Sequence, residues 1–324
     1  MKIFSEKYII NHNPFIQKIE TIQELNNEIE YTNSIILKKR KNQYLIPYEY
    51  GNGIKGKGEY VLRWGIGCIY DCVYCYSKLK VKDSNITVFP DLYNIENEII
   101  KLAKINKNLL INAGENFDSF ILENTIPFSQ ELTHIIAKHK NVKCEFRTKA
   151  IVPDSFINNA SKENITIAFS LSPAQWRKKI EKQTPPLDKI INNIIKLQKA
   201  DFDIALRFEP IILFENWQQK YKELIIELSR KINLNKINSI DISLLRLTKQ
   251  GYKKVSKYNE IIDGELLYHK EDSKYRYFLP YRIKAYRFLI NELKKVYTGK
   301  IHIGTEPEKF IKKYFKNSEN KFIF

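Results

Sequence analysis

From residue 60 onward, short apolar segments alternate with longer amphipathic ones. This alternation constrains the fold of the 324-residue chain more than any other feature. The short segments are YVLRWGIG (60–67), NLLINAG (108–114), VKCEFRTK (142–149), ITIAFSLS (165–172), DIALRFEPII (203–212) and SIDISLLRL (239–247). Between them lie LYNIENEIIKLAKI, FSQELTHIIAKHK, LDKIINNIIKLQKA and WQQKYKELIIELSRKI, whose apolar residues recur at three and four. A brief apolar run followed by a helical pattern marks a βαβ unit, and successive units build a parallel sheet. Six such units predict an α/β chain folded as a partial (β/α)6 TIM-like barrel, with IHIG (301–304) as a further strand. In parallel α/β folds the working residues gather at the carboxyl ends of strands. Glu115 and Asp118 after the second segment, Lys149 ending the third, Ser170 and Ser172 ending the fourth and Glu209 in the fifth are therefore candidates.

The residues before this pattern read differently. IQKIETIQELNNEIE (16–30) is helix-like and acidic, LKKRKNQ (37–43) is basic, and GNGIKGKG (51–58) holds four of the eleven glycines. The expected organisation is an N-terminal extension, 1–57, and a barrel, 58–324, whose C-terminal part is basic and aromatic. The opening MKIFSEKYIINHNPF lacks the apolar stretch of a signal peptide, and no run approaches the roughly 18 apolar residues of a membrane span. A soluble, cytoplasmic protein without membrane contact is expected. Residues 126–324 carry 38 Lys+Arg against 22 Asp+Glu, which is nearly all of the net charge of +17. A basic surface of this size favours a polyanion such as nucleic acid, although AT-rich coding alone enriches lysine.

Three of the four cysteines, Cys68, Cys72 and Cys75, form a C-x3-C-x2-C group in WGIGCIYDCVYCYSK, just past the first strand segment. Clustered reduced thiols point to metal. Structural zinc takes four ligands in close pairs, whereas the five histidines lie far away at 12, 134, 139, 269 and 302. Three thiolates suit three irons of a 4Fe–4S cluster, with the fourth iron open. Zinc and simple packing remain the alternatives.

This motif after a first strand resembles the radical S-adenosylmethionine (SAM) superfamily. YCYSK, FRTKA (146–150), IAFSLSP (167–173), EKQTPPLDKII, RFEPIILFENWQQKY (207–221) and KYRYF (274–278) occur in an order that resembles the spore photoproduct lyase family. The resemblance implies a 4Fe–4S cluster on Cys68, Cys72 and Cys75, with SAM on the open iron and an external flavodoxin- or ferredoxin-like reductant. The expected reaction is reductive cleavage of SAM to a 5′-deoxyadenosyl radical, used to reverse a thymine dimer in DNA. It further implies that Glu115, in an AGE turn, and Lys149, Ser170 and Ser172 bind SAM, and that Tyr74 and Tyr76 stack on substrate or relay a hydrogen atom. Lys274, Arg276 and Tyr277 correspond to the hairpin with which the family enters DNA. Each has an ordinary alternative as a capping acid, strand-end residue or packed aromatic.

The match breaks after the second strand, where the family places a hydrogen-donating cysteine and this chain reads INAGENFD. Cys144, the remaining thiol, is five residues before Lys149, about 16 Å along a strand and on its other face. A core position is expected for it. DNA photolesion repair is the leading expectation. The same radical chemistry on RNA or a small molecule, and a non-catalytic metal-containing nucleic-acid-binding protein, stay open.

Overall fold

In the computed structural model the described residues are 1–26, 31–48, 59–75, 77, 85–115, 117–261 and 265–315. The chain forms an α/β fold of two compact units. The first comprises residues 1–48, 58–69 and 77–167, and the second 49–57, 70–76 and 168–324.

In the first unit the strands Glu59–Leu62, Leu109–Asn112 and Val142–Thr148 run parallel, with Tyr60 beside Ile111 and Ile111 beside Cys144. Leu45–Pro47 pairs antiparallel with Glu59–Leu62 at the outer edge. The parallel pairs follow from the crossover helices. Leu92–Ile105 buries Ile95 and Ile99, one turn apart, and Asp91 caps it by accepting from the Asn94 N–H. Phe128–Ala137 buries Phe128, Leu132, Ile135 and Ile136. Along Val142–Thr148 burial alternates with period two, so Cys144 and Phe146 face the core while Glu145 and Arg147 face the other way.

The same unit has a second sheet. Ile22–Glu24, Ile3–Ser5, Ile35–Leu37 and Ile86–Val88 are parallel neighbours in that order, and Gly65–Ile66 pairs antiparallel with Ile86–Val88. Here the helix-like reading of 16–30 is corrected. Among its described residues, 16–26, helix is confined to the end of Pro14–Gln17, and Ile22–Glu24 is a strand, because pairing with Ile3–Ser5 outweighs the local apolar spacing. GNGIKGKG lies outside the described residues.

In the second unit Ile204–Ile211, Ile237–Leu244 and Lys300–Ile303 are parallel neighbours. The helices Leu187–Lys199 and Trp217–Lys231 bury one apolar stripe each, the latter through Trp217, Tyr221, Leu224, Ile225 and Leu228. A small antiparallel sheet joins Arg246–Leu247, Lys274–Tyr277 and Leu266–His269, and Leu279–Lys294 follows it. Ile165–Ser170 begins in the first unit and ends in the second. No described helix is long and apolar enough to cross a membrane.

Candidate active site

Glu115 follows the strand Leu109–Asn112 and is held by two neighbours. The Tyr48 hydroxyl donates to its Oε1 at 3.1 Å, and Arg147 Nη1 reaches its Oε2 at 3.4 Å. Arg147 is itself oriented by Glu145, with Nε to Oε1 at 2.6 Å. Two residues beyond Arg147, the Lys149 backbone is pinned by the half-buried Asp118, whose Oδ2 accepts its N–H at 2.6 Å. The other Asp118 oxygen accepts from Thr148 Oγ1 at 2.7 Å and from the Phe120 N–H at 3.0 Å. Burial raises the Asp118 carboxyl above its ordinary value, against the pull of these donors. Thus Glu115 and Lys149 sit at the ends of neighbouring parallel strands, each with its own support. Arg147 and Tyr48 escaped the sequence reading. Arg147 lies inside FRTKA, but only pairing of the strands brings it to Glu115.

Gly114 lies tightly against the Arg147 backbone of the neighbouring strand. A Cβ there would lie 2.6 Å from both the Cβ and the carbonyl oxygen of Arg147 and 2.8 Å from its nitrogen. Backbone cannot yield as a side chain tip can. Gly114→Ala is expected to cost about 1–3 kcal/mol and to displace Glu115, measured as a lower urea midpoint.

Cys68 is partly exposed. It follows Gly67, whose φ of +96° suits glycine and where a Cβ would meet the Asn85 carbonyl oxygen at 2.9 Å. Cys72 and Cys75 belong to the second unit, Cys72 buried and Cys75 partly exposed, and none of the four cysteines is in a disulfide. The Cys75 N–H donates to the Cys72 carbonyl at 3.1 Å, closing the loop between them. Tyr74, inside that loop, donates its hydroxyl to Glu181 Oε1. Burial, the Glu181 carboxylate and the two flanking thiols push its phenol well above the ordinary value. Ser172 is buried and donates to Glu181 Oε2 at 2.8 Å, and the Ser170 carbonyl accepts from Arg177 Nη1 at 3.3 Å. Tyr76 lies outside the described residues. Cys144 is a core residue of the first unit, and burial raises its thiol far above its usual range.

Arg276 and Tyr277 are placed differently from what the family hairpin implies, because both are internal. Arg276 is paired with Asp272 and Glu306 and donates Nη1 to the Thr305 carbonyl at 2.7 Å. The Tyr277 hydroxyl accepts the Leu213 N–H at 2.9 Å from a fully buried ring. A polar hollow of about 260 Å³ beside them is lined by His269, Glu271, Asp272, Arg276, Arg282 and Pro307. Lys274 is partly exposed, and the accessible aromatics nearby are Tyr268, Phe278 and Tyr281. Tyr275 stacks on Tyr252, with centroids 4.0 Å apart and planes 3° from parallel.

The profile of the family described as spore photoproduct lyase matches residues 49–323, which is most of the chain. The chain belongs to the spore photoproduct lyase family. The spore photoproduct lyase of Bacillus subtilis (strain 168) is 25% identical over 214 residues, covering 63% of this chain and 61% of the relative. The match thus spans less than two thirds of that relative's length. A solved spore photoproduct lyase mutant with dinucleoside spore photoproduct superposes with a TM-score of 0.78 at 16% identity, covering 93% of this chain and 97% of the other. A second, with bound AdoMet as well, gives 0.77 at the same identity and coverage. These structural matches establish the fold.

The family implies a 4Fe–4S cluster, and the donor set fits it. Three cysteines at C-x3-C-x2-C, none of them in a disulfide, would provide three iron ligands. Among the described residues no three His, Cys, Asp or Glu side chains stand together as a metal site, so the fit rests on the donors' chemistry.

Proposed function

We propose that this chain is a radical SAM enzyme of the spore photoproduct lyase type that acts on a DNA photolesion. The observation that carries the reading is the C-x3-C-x2-C cysteine set within a chain matched to the family over residues 49–323. On this reading residues 58–324 are the catalytic body, a partial barrel preceded by the 1–57 extension. Cys68, Cys72 and Cys75 would hold the cluster. With SAM bound, the chemistry such a cluster would supply is one-electron reductive cleavage of SAM.

The chain's own residues prepare the place for SAM. Glu115, oriented by the Tyr48 hydroxyl and Arg147, would pair with the SAM ammonium group. Lys149, its backbone fixed by Asp118, would bind the SAM carboxylate. Ser170 would add a hydroxyl contact, and Ser172 serves the site through Glu181. On the DNA side, Lys274 and the exposed Tyr268, Phe278 and Tyr281 would meet phosphate and bases, while Arg276 and Tyr277 support the hairpin from within.

Return of a hydrogen atom to the product cannot use a thiol after the second strand, since that position holds no cysteine and Cys144 is buried on the opposite face of its own strand. On this reading a tyrosine, Tyr74 or Tyr76, or a route that regenerates SAM would take that role, or the reaction is a different one. The test is anaerobic reconstitution with reductant and SAM, followed by assay of 5′-deoxyadenosine and of the nucleic acid. Irradiated DNA should be repaired in step with SAM turnover. Turnover that leaves irradiated DNA unchanged but responds to RNA or a small molecule would replace the substrate and keep the radical chemistry. A colourless zinc protein would end both.

A further inference from the structure

Glu181 is a carboxylate with almost no exposure, and such a group persists only when paired and hydrogen-bonded. Its partners come from three places in the second unit. Arg177, equally buried and one helical turn earlier, pairs with Oε2 at 3.2 Å. Arg177 is fixed in turn by donating Nε to the Pro185 carbonyl at 3.2 Å and Nη1 to that of Ser170. Ser172 donates from the segment after Ile165–Ser170. The third partner, Tyr74, lies 107 residues away in sequence, between the second and third cysteines.

The backbone repeats the connection. Glu181 stands opposite Cys72 and Lys182 opposite Asp71 in an antiparallel pair, and the Val73 N–H donates to the Ile180 carbonyl at 2.8 Å. The strand ends at once in a turn, with Gln183 at φ +66° and Thr184 Oγ1 donating to the Glu181 carbonyl at 2.7 Å. A two-residue ladder is too short to hold a loop unaided. A side-chain bond, Tyr74 to Glu181, reinforces the pair.

We propose that Glu181 is the positioning residue of the cysteine loop: braced by Arg177 and Ser172, it grips the Tyr74 hydroxyl and thereby sets the backbone from which Cys72 and Cys75 project. This inference rests on the proposed function in taking those thiols as cluster ligands. Ser172 accordingly acts through Glu181.

The test measures the loop apart from catalysis. Hydrogen exchange of residues 70–75 is compared in metal-free wild type, Glu181→Gln, Glu181→Leu and Tyr74→Phe, with the strand Ile237–Leu244 as internal reference. Iron per chain after reconstitution is the second readout. Loss of a hydrogen bond to a buried charged group predicts about tenfold or more faster opening of the loop in Tyr74→Phe and Glu181→Leu. Iron retention should fall in both, and Glu181→Gln, which still accepts from Tyr74, should recover most of it. Unchanged loop protection in Tyr74→Phe and Glu181→Leu overturns the proposal. If Glu181→Leu also loosens the reference strand, Tyr74→Phe decides, since it removes one hydroxyl only: local loosening supports the proposal and none refutes it. A wild type that binds no iron–sulfur cluster would sink the proposed function, while the exchange comparison would still judge the anchor.

Discussion

Cys72→Ala is expected to abolish cluster binding and 5′-deoxyadenosine formation while leaving the chain folded. A 4Fe–4S cluster with three protein thiolates has no spare protein ligand, so loss of one leaves two irons without protein ligands. Iron should fall from about four per chain to well under one, and radical chemistry should drop to background. The matched control is Cys144→Ala. Both cysteines are buried, so each substitution carries a packing cost on the order of 1 kcal/mol. Only Cys72 has Tyr74 and Cys75 beside it in sequence and a backbone partner in Glu181. Cys144→Ala should therefore keep full iron and SAM turnover with a slightly lower urea midpoint. If Cys72→Ala retained colour and iron, another side chain would be the ligand and the site would need to be redrawn.

The contrast between these two cysteines was readable in the sequence, since spacing grouped one with its neighbours and strand periodicity turned the other inward. The parallel strands were readable for the same reason. Leu109–Asn112, Val142–Thr148, Ile165–Ser170, Ile204–Ile211 and Ile237–Leu244 are apolar runs bounded by helical patterns, and their identity is local. What escaped depends on partners far along the chain. Ile22–Glu24 is a strand because Ile3–Ser5 offers an edge. Arg276 reads within KYRYF as part of a DNA-entering hairpin, yet Glu306, thirty residues later, holds it inside. Glu181 carries no local mark of its bond to Tyr74. In each case the residue type was visible and its counterpart was not.

Glu306 itself supports the second large prediction. Glu306→Ala should destabilise the protein by about 3–5 kcal/mol, read as a shift in the urea midpoint. Its carboxylate is buried and accepts from Arg282 Nε at 3.1 Å, from Arg282 Nη2, from the Tyr286 hydroxyl at 3.2 Å and from Arg276 Nη1 at 3.4 Å. Arg276 retains Asp272 and the Thr305 carbonyl when Glu306 is removed. Arg282 does not fare so well: among the described residues its ion pair is with Glu306, and it would be left over the Phe310 ring at 4.7 Å. A buried guanidinium without a carboxylate is the costly outcome, more so than the loss of the pair as such. Glu306→Gln keeps an acceptor and should fall between the wild type and Ala. Arg287→Ala, on the exposed side of the same helix, should stay within about 0.5 kcal/mol. The damage should also reach function in a defined order. Because Arg276 and Arg282 fix the base of the hairpin, nucleic-acid affinity should weaken before iron content changes. A loss below about 1 kcal/mol in Glu306→Ala would mean that water already solvates these arginines and that the hairpin is held by its aromatic contacts instead.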